Sequence, residues 1–198
     1  ERERYLNFLS QAMARYGVSL HAYVLMTNHV HLLVTPEDSD SISRMSQVTG
    51  SRYAQYVNKR YEMTGTLWEG RHKSSLVDTQ NYLLRCYRYI EMNPVRARIV
   101  STPGDYRWSS YAANISEAPC AILTPHTAYL GLGASEAERG AAYRQIVDEA
   151  LDEQTLQAIR SATHYCQPLG SERFLKFLEN ELGIPLGRQA RGRPRKCD

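Results

Sequence analysis

His29 and His31, one residue apart, stand in the run Asn28-His29-Val30-His31-Leu32-Leu33-Val34. Successive side chains on a strand point to opposite faces, so a strand here turns both imidazoles to one side, within reach of a single ion. Val30, Leu32, Leu33 and Val34 are the β-branched and aliphatic residues that favour such a strand. Alone, the pair reads equally well as two half-exposed strand histidines. A second group lies in Tyr87-Arg88-Tyr89-Ile90-Glu91-Met92-Asn93-Pro94, where Tyr89 and Asn93 stand four residues apart and share one helix face. Alone, Tyr89 is a core tyrosine of an amphipathic helix, and Asn93 ends that helix before Pro94. Together, two imidazoles, an amide oxygen and a phenol suit metal-assisted phosphoryl transfer with a tyrosine nucleophile. A divalent ion draws charge from a non-bridging oxygen of the scissile phosphate. A phenol titrates near pH ~10, so Tyr89 needs a base or the field of the metal to attack. Attack leaves a protein–DNA phosphotyrosine and a free hydroxyl, which conserves the bond for rejoining. Mixed nitrogen and oxygen ligands with open positions suit Mg2+ or Mn2+, and zinc also binds imidazole.

The elements that must position these groups are legible from periodicity and punctuation. Leu6, Leu9, Met13 and Tyr16 are spaced for one buried helix face over residues 3–16, closed by Gly17. Residues 19–26 and 29–35 read as two strands joined at Thr27-Asn28, with Pro36 ending the pair. A long helix over 41–61 has Ile42, Met45, Val48, Tyr53, Tyr56 and Val57 as inner positions. Gly65 then turns the chain into a third strand near 66–77, carrying Leu67, Trp68 and Leu76. The helix with Tyr89 runs over 79–92, capped by Thr79, with Leu83, Tyr87 and Ile90 packing on the sheet. Trp108 and Tyr111 are core aromatics of a loop-rich stretch, and helices follow over 137–150, 152–163 and 171–182. This order predicts an α+β fold of the ferredoxin-like kind: an antiparallel sheet with helices on one face, whose first strand is missing and would precede the sequence given. The expected divisions are a catalytic domain over 1–111, a helical extension over 112–183 and a disordered basic tail over 184–198.

Net charge is +3 over 198 residues and is unevenly spread. From Arg188 onward five basic residues face Asp198, an excess of four, which leaves the first 187 residues at −1. Basicity concentrated in a tail points to a polyanion held by an arm as well as by a folded face. The tail motif Arg191-Gly192-Arg193-Pro194 resembles the core of minor-groove-binding AT-hook peptides, and Arg195 and Lys196 extend it. Four scattered cysteines without CxxC spacing imply reduced thiols, not a zinc ribbon or disulfide framework. No apolar run reaches membrane-spanning length, so a soluble protein without a membrane partner is expected.

Six segments in order carry a resemblance that spans nearly the whole chain: AYVLMTNHVHLLVTP (22–36), GTLWEGRHKS (65–74), YRYIEMNPVRARIV (87–100), DYRWSSY (105–111), LGSERF (169–174) and GRPRK (192–196). The chain resembles the REP-associated tyrosine transposases, a branch of the HUH single-strand nucleases related to the single-tyrosine transposases of insertion sequences. The resemblance implies that His29 and His31 bind the metal and that Tyr89 is the nucleophile. Asn93 stands where related transposases use a glutamine as third ligand. It further implies a 5′-phosphotyrosine, a free 3′-hydroxyl and imperfect palindromes folded into hairpins as substrates. In two respects the sequence departs from the family: it begins inside the first helix, and His72 replaces the usual tyrosine of the LWEGR segment.

Arg71 and Lys73 alternate onto one face of the expected third strand, where they would meet phosphates or simply face solvent. Arg96 either holds a phosphate or pairs with Glu91. The leading function is therefore a metal-dependent single-stranded DNA endonuclease and strand-transferase acting on hairpin repeats in the cytoplasm, associated with the nucleoid. The alternative is a hairpin-DNA-binding regulator that uses the same face without cleaving, and an RNA-binding module is a third. The long C-terminal extension implies a monomer, with a homodimer as the other possibility.

Overall fold

The structure, a computed structural model, describes residues 1–79, 82–116, 120–183 and 185–186. Its centre is an antiparallel hairpin of β1 (Val18–Leu25) and β2 (Val30–Pro36), in which Val24 lies opposite His31 and Tyr23 opposite Leu32. The register slips between Leu20 and Ala22, so His21 is the extra residue of a bulge. That one residue reverses the strand's alternation. Val18, Leu20, Tyr23 and Leu25 enter one hydrophobic core, while Ala22, Val24 and Met26 enter the other. On β2 the sides are Val30, Leu32 and Val34 against Leu33, and period-two alternation puts His31 on Leu33's side.

The first core is covered by α1 (Arg2–Tyr16) and α2 (Ser41–Tyr61), with Tyr5, Leu9, Met13 and Met45 buried. Gly17 closes α1 in the left-handed region (φ 61°), donating its amide to the Met13 carbonyl. A side chain there would also displace the exposed Glu37 side chain. The second core is covered by α3 (Leu83–Glu91) and the short α4 (Asn93–Arg96). It continues through α5 (Tyr111–Asn114), α6 (Thr127–Leu130), α7 (Glu136–Asp148) and α8 (Glu153–Tyr165), and α9 (Glu172–Leu182) ends the described helices. Residues 106–110 lie along the outer edge of β1, bonded through Leu25 N–H to the Trp108 carbonyl (2.8 Å) and Ser110 N–H to the Tyr23 carbonyl (3.0 Å).

The molecule is thus α+β with a two-stranded sheet, and three expectations change. Helices cover both faces of the hairpin instead of one, because β1 and β2 are apolar on both sides. No strand forms over 66–76: Leu76 is 58% exposed, and only Val77 makes an isolated bridge, to Leu169. With little apolar surface to bury and Gly65 and Gly70 interrupting it, that segment docks by isolated contacts: the Trp68 indole N–H donates to the Gly50 carbonyl at 2.9 Å, Ser75 Oγ to the Ala162 carbonyl at 2.8 Å, and the Leu76 carbonyl accepts from Leu169 N–H at 2.7 Å. The helix that carries Tyr89 begins at Leu83, not Thr79, and just ahead of it Tyr82 N–H bonds to the Asp78 carbonyl (2.9 Å).

Among the described residues no helix is long and apolar enough to cross a membrane.

At the bulge, His21 is buried, with Nδ1 2.7 Å from the Thr124 carbonyl and Nε2 2.8 Å from Thr35 Oγ1. A carbonyl only accepts, so Nδ1 carries the proton and Nε2 accepts from the threonine. Burial holds its pKa below the ordinary value of about 6.5; the Thr124 carbonyl opposes this and the neighbouring His126 adds to it. A depressed histidine contributes stability above pH ~6.5 that is lost on acidification, because the unfolded chain then binds the proton more readily. The urea midpoint of the protein should therefore fall between pH ~7 and ~5, and less steeply for His21→Gln. Equal pH slopes for the two proteins would remove this histidine from the account.

A candidate nucleophile and metal centre

β2 and α3 bring His31 and Tyr89 together. His31, on the second face of β2, lies edge-on to Tyr89 of α3 with ring centroids 6.0 Å apart and planes at 79°. His29, just before the strand, is 5.0 Å from His31, centroid to centroid. Alternation along β2 puts His31 on the side of the second core, which α3 covers. Tyr89 is buried, 8% exposed.

The two histidines differ electrostatically. Burial, then the proximity of His29 and of Arg96, drives the His31 pKa down to about 4. Its ring is therefore neutral at physiological pH, and neither nitrogen has a hydrogen-bond partner among the described residues. His29 is more exposed and is lowered by burial alone. Its Nδ1 lies 2.8 Å from Asn28 Oδ1; as an amide oxygen accepts, the proton sits on Nδ1 and Nε2 keeps its lone pair. Neutral imidazoles with free lone pairs are the form a metal requires.

Asn93 begins α4, and its Nδ2 is buried without a hydrogen-bond partner. An orphaned buried amide is rare enough to need a reason. A half-turn of the amide would present its oxygen at that place, which fits a ligand from outside the chain. Among the described residues, no cluster of three or more His, Cys, Asp or Glu side chains could hold a metal ion. The two imidazoles brought together here are those of His29 and His31, 5.0 Å apart between ring centroids.

Arg96 lies over the Tyr89 ring, its guanidinium carbon 4.3 Å from the centroid, and its Nη2 donates to the Tyr89 carbonyl. It does not pair with Glu91, whose carboxylate takes Ser110, Asn114 and Tyr143 instead. Of the two alternatives for Arg96, the ion pair with Glu91 does not form. α3 ends at Glu91, as expected ahead of Pro94, and the separate short α4 brings Arg96 back over Tyr89. Proline fits the first turn of α4, and Arg96 N–H bonds to the Met92 carbonyl at 3.0 Å. Arg71 and Lys73 are exposed on the irregular segment, without an ion-pair partner among the described residues. The alternation expected of them lapses with the strand. Arg191, Arg193, Arg195 and Lys196 lie outside the described residues.

Sequence reasoning passed over Glu91 as more than a partner for Arg96. The one signal available was a carboxylate spaced between two candidate site residues on a largely apolar helix.

No curated protein and no solved structure matches the chain. Residues 1–93 match the family model described as Transposase IS200 like. The matched segment contains the hairpin with its two histidines, the tyrosine and the asparagine, and it stops short of Arg96. Over those residues the chain is similar to the IS200-like transposase family, and the facing strand and helix described above lie within the matched segment.

Proposed function

We propose that the protein is a metal-dependent single-stranded DNA endonuclease and strand-transferase of the REP-associated branch, with a ferredoxin-like HUH core, acting on hairpin repeats through a 5′-phosphotyrosine at Tyr89. The observation that carries this reading is the edge-to-face contact of His31 on Tyr89. In this reading the phenolic oxygen of Tyr89 attacks the scissile phosphorus and the bond to the 3′-oxygen breaks. The phenolic proton is lost, and the leaving oxygen takes one up to become a free 3′-hydroxyl. His29, His31 and Asn93 would hold Mg2+ or Mn2+, which when bound withdraws charge from a non-bridging phosphate oxygen. Arg96, directly over the nucleophile's ring, would meet the phosphate.

Functionally, residues 1–111 supply the chemistry, 112–183 buttress it and 184–198 form a DNA-binding arm. The protein acts as a monomer in the cytoplasm, on nucleoid DNA. The test is a labelled hairpin oligonucleotide incubated with Mn2+: a covalent protein–DNA adduct resistant to denaturant is expected. A regulator that only binds would hold the hairpin regardless of metal and would give no adduct.

The arm contributes affinity rather than chemistry. Removing residues 188–198 deletes five basic residues, so the slope of log affinity against log salt should flatten by about 3.5 for single-stranded DNA. Adduct formation at saturating DNA should be unchanged. A salt titration of binding by both proteins checks this, and an unaltered slope would mean that the arm leaves the phosphates alone.

A further inference from the structure

Glu91 is fully buried, 0% exposed, between Tyr89 and Asn93 in sequence, and its side chain points away from both. Two residues turn a helix by about 200°, so Glu91 leaves the opposite side of α3 from the nucleophile. There its carboxylate accepts three hydrogen bonds. Ser110 Oγ and Asn114 Nδ2 (2.7 Å) donate to Oε1, and the Tyr143 hydroxyl donates to Oε2 at 2.6 Å. Asn114 ends α5 and Tyr143 lies mid-α7, both beyond the family-matched segment.

Ser110 is the connection to the other half of the site. Its Oγ also accepts from Tyr23 N–H (2.9 Å), and its own N–H donates to the Tyr23 carbonyl (3.0 Å). Tyr23 and Val24 lie opposite Leu32 and His31 across the hairpin, and Val24 itself bridges to Ser109. One carboxylate therefore joins the helix of the nucleophile to the strand directly across from His31. Tyr143, itself 0% exposed, fixes the other oxygen. A buried charge-accepting group with three donors is costly to leave half-satisfied, which makes the arrangement rigid.

We propose that Glu91 is a positioning residue: with Ser110, Asn114 and Tyr143 it sets the separation of Tyr89 from the His29–His31 pair, so that the C-terminal extension is part of the catalytic apparatus. This deepens the proposed function and rests on that reading for its catalytic consequence. Misplacement by about 1 Å costs up to about 100-fold in rate when reacting groups must align.

The experiment compares wild type, Glu91→Gln and Tyr143→Phe in single-turnover adduct formation with Mn2+ at saturating hairpin DNA. It also follows the His31 ring-proton NMR shift in the metal-free protein. That shift carries the ring current of Tyr89 and is measurable whether or not the protein cleaves DNA; His31→Gln assigns it. Glu91→Gln places a donor where donors already converge. It should slow adduct formation by about 100-fold per folded molecule and move the His31 shift, with hairpin affinity retained. Tyr143→Phe, which keeps the ring and loses one donor, should do both to a smaller degree, and it carries the test if Glu91→Gln fails to fold. Loss of thermal stability with unchanged rate and unchanged His31 shift would overturn the proposal. If wild type forms no adduct, the transposase reading fails, and the His31 shift still decides whether Glu91 positions the tyrosine.

Discussion

Tyr89→Phe protein should fold, bind hairpin DNA much as wild type does, and form no covalent adduct at all. The substitution removes one oxygen and keeps the ring that meets His31 edge-on and lies under Arg96. The Tyr89 hydroxyl interacts with the Arg96 guanidinium, which also donates to the Tyr89 carbonyl and so keeps a partner when the oxygen is removed, and the stability cost should be small. The chemical cost is of another size. Removing a nucleophile commonly costs several orders of magnitude in rate, because no neighbouring group inherits its position. Denaturing electrophoresis of a labelled hairpin after incubation with Mn2+ reads the outcome directly. Adduct persisting in the phenylalanine protein would place the nucleophile elsewhere among the fourteen tyrosines. Calorimetric binding of the uncleaved hairpin keeps the two halves of the prediction separate.

The second large effect is expected from His31→Gln. Glutamine is neutral and polar, as His31 is at physiological pH given its pKa near 4, so burial costs are similar before and after. What disappears is an imidazole nitrogen with no protein partner. Metal affinity should fall by more than about 100-fold, beyond what loss of an outer-shell group typically costs. The Mn2+ concentration giving half-maximal adduct should rise accordingly, and chelation should abolish the wild-type reaction outright. His29→Gln should show a milder version, since His29 is more exposed and already hydrogen-bonded through Nδ1. A metal titration unchanged in His31→Gln would end the case for a cation at this pair, while leaving the tyrosine prediction standing.

Local sequence signals fared well where the physics is local. Gly17 closes α1 as its spacing implied. The helices of the extension start where side chains can cap them. Ser135 and Glu138 form a reciprocal capping box for α7, and Asp152 and Ser171 cap α8 and α9. The third strand failed for a related reason. Residues 66–76 have strand-like composition in places, but a strand needs a neighbour's edge, and composition says nothing about whether one is free. Thr79 failed as a cap because α3 begins only at Leu83, with Tyr82 at its boundary.

What the sequence determined by itself is the chemistry at hand: a histidine pair that an extended chain must turn to one side, and a tyrosine with an asparagine one helical turn later. Period and punctuation are properties of the chain alone, so these were legible before folding. Only the tertiary structure decided that the pair and the tyrosine face each other, since that depends on a bulge at His21 that resets which side of β1 each residue occupies. It also decided the fates of Arg96 and Glu91. Both are charged residues of one short segment, and nothing in their spacing distinguishes a guanidinium folded over the nucleophile from a carboxylate buried behind it. That choice was made by donors 19, 23 and 52 residues further along the chain, which converge on Glu91 only when the extension packs against α3.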